Sequence, residues 1–346
     1  MSKTFSFAAE RYDRLANEYF DYTIMVYKSA KGIETEVIEA KSKRRFAARQ
    51  RSGLTVGQCF VGATIVINTF QFTITAYNDH ATEAALSKIH ESTLGVVQGQ
   101  SFESLGKIIT AATGFGFTVA KLQTITVNAG SQAVLRHAGL RIRNGPAAFM
   151  VLLRPNAVDE WQKLSQRFGS PEDVHASASI EAAQAEIDQI FHSDFSQKTS
   201  AKTSKQSSLC LIKPHAVAAG HAGAIIQQLE DNLNVSAVEQ VHLTKEDALE
   251  FLRCYRGVLP EFSQQVEGLY DGPSIAVEVS GEEGQDVVGA LRQLAGPYDV
   301  TCAKCLAPES IRAQFGVNNV DNGVHVTDLP TDGQIETNFF FKVLKT

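Results

Sequence analysis

The chain has 346 residues, 44% of them hydrophobic and 20% charged, which is enough for two or three domains with buried cores. Its formal net charge of −6 argues against a general nucleic-acid binder, and no run approaches the ~20 apolar residues that a membrane span needs. The first residues hold no long apolar stretch, so no secretory leader is expected, and five scattered cysteines fit a reducing compartment.

Residues 1–83 read as a β-rich module. Tyr19–Tyr27, Val61–Asn68 and Phe70–Tyr77 are rich in β-branched and aromatic residues, with period-2 alternation clearest in the last. Between them lies the densest positive run of the chain: Lys41, Lys43, Arg44, Arg45, Arg49 and Arg51. It is either a solvated edge or a patch that steers toward an acidic partner. Residues 84–92 read as a connector.

Residues 93–191 and 208–346 are two copies of one pattern. Thr93–Gln98 matches Ser208–Lys213, Leu105–Ile109 matches Ala222–Ile226, and Gly145-Pro146 matches Gly272-Pro273. His175 and Glu186 in the first copy match His325 and Glu336 in the second, eleven residues apart in each case. The first copy is shorter between Gly-Pro and His, where the second carries Ser310-Ile311-Arg312 and Asn322. The Ser/Thr/Lys-rich residues 192–207 between the copies read as a flexible or extended linker.

In the second copy, Ser208–Ile212 reads as a buried strand, Ala222–Leu229 as a helix and Val235–Leu243 as a strand. Thr244 is expected to cap a helix at Ala248–Cys254. Pro273–Val279 is a strand, Asp286–Leu294 a helix, and Asn338–Leu344 a closing strand. Two β-α-β units predict an antiparallel sheet with helices. Cys302-Ala-Lys-Cys305 has CxxC spacing without a second ligand pair. Two ordinary thiols in a loop and a redox or metal pair both remain open, and no metal site is expected.

Leu211-Ile212-Lys213-Pro214, Arg292, Ser310-Ile311-Arg312 and Asn322-Gly323-Val324-His325 resemble the core of a nucleoside diphosphate kinase. That resemblance implies an α+β, ferredoxin-like fold and transfer of a γ-phosphate through a phosphohistidine. It makes His325 the nucleophile and Glu336 its orienting carboxylate. Lys213, Arg292 and Arg312 become the phosphate clamp, Asn322 the contact to the nucleotide sugar, and Mg²⁺ enters with ATP or another nucleotide. Several positions depart from the family. Glu261, after Pro260, stands where an aromatic stacks on the base, a loss worth ~1–3 kcal/mol. Arg253 takes the place of a supporting Tyr, with Tyr255 nearby. Tyr298 aligns near a Thr of the phosphate grip, and Val326 replaces a Gly. In the first copy Gln98 replaces the clamp lysine and Lys163 falls near the place of Arg292, so that His175 and Glu186 mark an inactive copy.

The N-terminal order of aromatic strand, basic run, Val56–Gly62 and closing strand resembles the DM-ten domain, a PH-like β module. One such module before two kinase-like domains, the first truncated, resembles the nucleoside diphosphate kinase homolog 7 family. This resemblance implies a structural component of ciliary or flagellar axonemes, a microtubule inner protein of the doublet, with weak or lost kinase activity. The alternative is an active kinase using His325. The implied partners are tubulin, neighbouring axonemal proteins, γ-tubulin complexes and nucleoside di- and triphosphates, with no membrane and no nucleic acid. The kinase-like copies are expected to pack together as a pseudo-dimer.

Overall fold

The structure is a computed structural model describing residues 3–13, 16–30, 32–137, 139–191, 194–259 and 261–345. Pro260, and His192 and Ser193 at the start of the expected linker, lie outside the described residues. Two compact units divide at Glu91 and Ser92.

The first unit is a curled antiparallel sheet of six strands: β1 (Lys3–Asp13), β2 (Glu18–Ser29), β3 (Gly32–Glu39), β4 (Arg45–Ser52), β5 (Thr64–Ile67) and β6 (Phe70–Tyr77). Their order is β4-β3-β2-β1-β6-β5. Alternating residues, among them Phe5, Phe7, Ile24, Val26, Phe72 and Ile74, fill its concave face. The curl brings Phe46 of β4 edge-on to Phe70 and Phe72 of β6. β1 and β3 lack the uniform aromatic or alternating pattern of the strands read from sequence. Ser6 on β1 and Thr35 and Glu36 on β3 are polar yet buried, which breaks the alternation that a strand shows in sequence.

Residues 84–92 are not a bare connector. Helix α1 (His80–Leu86) is N-capped by Asp79, which accepts from Thr82 N (2.7 Å), and it buries Leu86 in the module's core. The basic run is a turn and an edge strand. Lys41, Lys43 and Arg44 lie in the β3–β4 turn, while Arg45, Arg49 and Arg51 lie on β4. Arg45 pairs with Glu36 (2.7 Å) and Arg49 with Glu34 (2.6 Å), so part of the charge is answered within the module.

The second unit holds both copies of the repeat, hereafter two lobes. The first lobe runs β7 (Ser92–Gln98), α2 (Leu105–Gly114), β8 (Thr118–Val127), α3 (Ala129–His137), β9 (Gly145–Leu153), α4 (Ala157–Ser165), β10 (Val174–Ala176) and α5 (Ile180–Phe191). The second begins β11 (Ser207–Ile212), α6 (Pro214–Ala218), α7 (Ala222–Glu230), β12 (Asn234–His242), α8 (Lys245–Phe251), α9 (Phe262–Tyr270) and β13 (Pro273–Ser280). It continues α10 (Val287–Ala295), α11 (Val300–Leu306), α12 (Ile311–Phe315), β14 (Val324–Val326) and α13 (Gly333–Phe341). Thr244 and Asp247 form the expected capping box at α8.

The strands of both lobes join in one eight-stranded sheet, β10-β7-β9-β8-β12-β13-β11-β14. Reading inward from either end gives the same order of equivalent strands, so the lobes meet as a pseudo-dimer about the antiparallel β8–β12 seam. One apolar core runs through both. Above the seam α2 crosses α7 at Gly106 and Gly223. A β-carbon on Gly106 would meet Gly223 O at 2.7 Å, and one on Gly223 would meet Gly106 O at 2.8 Å.

The linker is neither loose nor isolated. Gln123 Nε2 on β8 donates to Lys198 O (2.5 Å), Ser200 N donates to Thr124 O (3.0 Å), and Ser200 Oγ donates to Ser236 O on β12 (2.8 Å). Lys202 N (2.7 Å) and Thr203 N (2.6 Å) donate to the carboxylate of Glu278, which also accepts from Ser207 Oγ (2.5 Å) and Ser236 Oγ (2.6 Å). Glu278 is fully buried in β13, and these four donors satisfy it there. Main-chain groups of Lys198, Ser200, Lys202 and Thr203, with the hydroxyls of Ser200 and Ser207, stitch the strap to the seam.

The expected closing strand at Asn338–Leu344 is instead the end of α13 and a short 3₁₀ turn at Val343–Lys345. The aromatic run Phe339–Phe341 reads as strand by composition. In the fold, Gly333, Thr337, Phe340 and Phe341 form one buried helical face, and packing overrides propensity. The loop expected at Cys302–Cys305 is α11, with both thiols exposed.

Candidate phosphotransfer site

β14 is an edge strand paired to β11, with His325 opposite Leu211. Its His325 Nε2 lies 3.2 Å from Glu336 Oε2 on α13. The same oxygen accepts from Thr327 Oγ1 (2.8 Å), and Thr327 Oγ1 in turn accepts from Leu209 N (3.0 Å). An acceptor-only carboxylate at Nε2 puts the ring proton there and leaves a lone pair on Nδ1. The rings of Phe251 (4.9 Å) and Tyr255 (5.9 Å) stand edge-on to the imidazole and fix its plane.

Tyr255, not Arg253, is thus the aromatic beside the histidine. The short turn after α8 carries Arg253 outward to pair with Glu250. Tyr255 OH donates to Asp328 Oδ2 (2.6 Å), and burial together with that carboxylate pushes the phenol well above its ordinary pKa. Asp328 also receives Arg292, whose guanidinium donates to its backbone oxygen (3.0 Å). Val326 is no obstacle. It lies in extended strand backbone opposite Cys210, where a β-branched side chain is at home.

The cations converge from three elements. Lys213 follows β11 at the N-cap position of α6, and its Nζ donates to Gln265 Oε1 (2.7 Å) and Val320 O (2.8 Å). Burial first, then the neighbouring Arg312, lowers its pKa to about 7, against a smaller opposing pull from Asp321. Arg312, on α12, donates to Gly296 O (2.7 Å) and Val324 O (3.4 Å), and burial lowers its pKa. Arg292 at the end of α10 remains half-exposed. Gly323 turns the chain into β14 at φ 87°, and its N–H donates to His215 Nε2 (2.9 Å). Asn322 is buried, donates to Tyr298 O (3.4 Å), and leaves its own Oδ1 without a partner. An orphaned buried acceptor inside a cationic cleft fits a ligand hydroxyl.

Glu261 stands at the N-cap of α9, close enough to Tyr298 to raise that phenol's pKa after burial does. Gln265, on the same helix, was not legible as a site residue because α9 carries no motif. Among the described residues no cluster of three or more His, Cys, Asp or Glu side chains is placed to hold a metal ion.

The first lobe repeats the dyad almost atom for atom. His175 Nε2 is 3.1 Å from Glu186 Oε2, Ser177 Oγ donates to the same oxygen (2.7 Å), and Leu94 N donates to Ser177 Oγ (3.1 Å). The cleft beside it is filled. Gln98 is buried, donates to Glu172 O (2.6 Å) and Arg141 O (3.3 Å), and accepts from Arg143 N (2.7 Å). Residues 166–173 connect α4 directly to β10, so the first lobe has no counterpart of α11 and α12. Gln162, not Lys163, takes the place of Arg292. Gln162 Nε2 donates to Ser177 O (2.7 Å) and to Ala178 O (3.4 Å), the counterpart of the Asp328 O that Arg292 meets, whereas Lys163 points away to Glu160.

Comparison with known proteins gives matches over the second lobe and over nearly the whole chain. The nucleoside diphosphate kinase family matches residues 206–345. Over 377 aligned residues the chain is 30% identical to nucleoside diphosphate kinase homolog 7 of Rattus norvegicus, spanning 99% of this chain and 94% of that protein. A nucleoside diphosphate kinase of Aquifex aeolicus is 34% identical over 138 residues, 40% of this chain and 94% of its own length. A crystal form of the Aquifex aeolicus enzyme is 33% identical, covering 40% of this chain and 97% of its own, with a TM-score of 0.37.

Proposed function

This chain belongs to the nucleoside diphosphate kinase homolog 7 family, and from that premise we propose that its second lobe carries phosphoryl groups between nucleotides on His325. The observation that carries the reading is the Nε2–Glu336 contact, which leaves Nδ1 as the attacking atom. Nδ1 bonds to the γ-phosphorus as the bond to the β–γ bridging oxygen breaks and the diphosphate leaves. A second diphosphate then takes the group by the reverse step. Arg312, Arg292 and Lys213 offset the charge on the transferring oxygens, Asn322 receives a sugar hydroxyl, and Mg²⁺ enters as part of the nucleotide substrate. Glu261, in place of a stacking ring, supports weak nucleotide binding.

Incubation with γ-labelled ATP and Mg²⁺ is expected to leave acid-labile label on the chain that chases onto an added nucleoside diphosphate. His325→Ala should take no label. Absence of label from the unaltered chain overturns the reading.

A second role stands beside the first: a structural component of the axonemal doublet microtubule in cilia or flagella, bound to tubulin and neighbouring filament proteins. It is favoured by the first lobe, which keeps its four strands and an intact His175–Glu186 pair beside a cleft filled by Gln98. Lys41, Lys43, Arg44 and Arg51 form no ion pair among the described residues and offer charge to an acidic surface such as tubulin or a γ-tubulin complex. Charge reversal at these four positions should abolish co-sedimentation with microtubules at physiological salt. Unchanged pelleting removes the basic strand as the contact.

A further inference from the structure

Lys213 does not face an open cleft. Two of its three donors are taken, by Gln265 Oε1 and by Val320 O. The amide of Gln265 is itself spoken for: Nε2 donates to Tyr298 OH (2.8 Å) and to Asn319 O (2.7 Å). Both side chains are nearly completely buried. Asn319 is in turn held by Val300 N, which donates to its Oδ1 (3.3 Å), and by its own Nδ2 donating to Asp299 (3.1 Å). Tyr298 offers its backbone oxygen to Asn322. A single amide therefore ties the clamp lysine to both loops that wall the cleft, residues 296–299 and 317–323.

We propose that Gln265 is a latch on the nucleotide cleft: it occupies Lys213 until a polyphosphate displaces it, and so sets the affinity of the site. The inference rests on the phosphotransfer reading of the second lobe and adds to it a specificity-determining residue. A phosphate oxygen outcompetes an amide oxygen for the ammonium because it carries negative charge, and opposite charges attract strongly in a buried site. Rotation of the Gln265 side chain breaks its bonds to Lys213, Tyr298 and Asn319 together, so the latch is either closed or open. Opening costs three protein hydrogen bonds, and that cost is subtracted from every nucleotide's binding. Ligands with two or more adjacent phosphates repay it best. A monophosphate, with fewer anionic oxygens to share among Lys213, Arg292 and Arg312, is selected against.

The test uses the full chain, with inorganic tripolyphosphate as the binding probe and ATP-to-diphosphate transfer as the kinetic one. Gln265→Leu keeps the volume and removes the amide. It is expected to bind tripolyphosphate about tenfold tighter and to lower KM by a similar factor with kcat little changed. Gln265→Glu should do the reverse, by closing an ion pair on Lys213. Tyr298→Phe, which loses only one arm of the latch, should fall between Gln265→Leu and the unaltered chain and guards against a misfolded Gln265 variant. Equal tripolyphosphate affinity in all four proteins overturns the latch; if His325 still takes label in that case, the phosphotransfer reading survives it. Absence of both binding and label in every variant overturns the two together.

Discussion

Gly223→Val is expected to lower the unfolding free energy of the second unit by about 3–5 kcal/mol, the range of severe overpacking where backbone meets backbone. The reason lies in what surrounds the position. A β-carbon there lands on Thr110 N and Oγ1 of α2 and 2.8 Å from Gly106 O. No rotamer relieves a clash with main-chain atoms, so α2 and α7 must separate. Ile108, Ile109, Ile225 and Ile226, all buried at this crossing, then lose their partners across it. The same opening strains the β8–β12 seam, whose main-chain register rests on Glu239 facing Gln123, and the strap of residues 198–206 bonded over it. Guanidinium unfolding should show a lowered midpoint, and limited proteolysis should cut within the strap. Gly114→Ala is the matched control. That glycine ends α2, the helix that Gly223 meets, with nothing within 4 Å of its missing β-carbon, so its replacement should be neutral or mildly stabilising. A Gly223→Val chain as stable as the control removes the helix crossing as a determinant of how the lobes are held.

The repeat was legible because chemistry and spacing agree. A His followed eleven residues later by a Glu recurs in both copies, and in both the two side chains meet at 3.1 or 3.2 Å. Residues read from motifs lie together in the fold: Lys213 N donates to Gly323 O beside Asn322, and Gly272 lies close to Pro214. What failed depended on neighbours that no local pattern reveals. Phe339–Phe341 has the composition of a strand, yet the groove beside β11 admits a helix there because Gly333 lets its backbone approach Ser207 O. The family resemblance put the place of the supporting Tyr at Arg253 with Tyr255 nearby, and the 3₁₀ turn at Arg253–Tyr255 presents Tyr255 to the imidazole. Lys163 matched Arg292 by charge, while helix phase gives the position to Gln162. The linker's serines and threonines carry the composition of a flexible segment, and only the buried carboxylate of Glu278, on a strand some seventy-five positions away in sequence, tells that they have somewhere to bond.

Lys213→Met is expected to separate binding from stability, with a sign that depends on pH. In the fold the ammonium is disfavoured, its pKa brought down from 10.5 to about 7 mainly by burial. Between those two values the unfolded chain holds a proton that the folded chain does not, so stability at this position rises with pH. Below about pH 7 both states are protonated and the full cost of burying the charge is present. Above about 10.5 it is gone. A shift of this size corresponds to roughly 3–5 kcal/mol. Methionine removes that burden but strands Val320 O and Gln265 Oε1, a loss of about 1–3 kcal/mol. The variant should therefore be the more stable protein at pH 6 and the less stable one near pH 10, with the two unfolding curves crossing between. Parallel curves across this range would overturn the depressed lysine. Polyphosphate affinity should fall sharply at every pH, because the buried site then offers one cation fewer. In the unaltered chain, binding at pH 8 should draw in close to one proton as the phosphate restores the ammonium, visible as a dependence of the calorimetric heat on buffer ionisation enthalpy, and this uptake should vanish in Lys213→Met. Proton uptake that persists in the variant assigns the linkage to another group, with His215, whose pKa burial also lowers and which holds the Gly323 N–H, the nearest alternative.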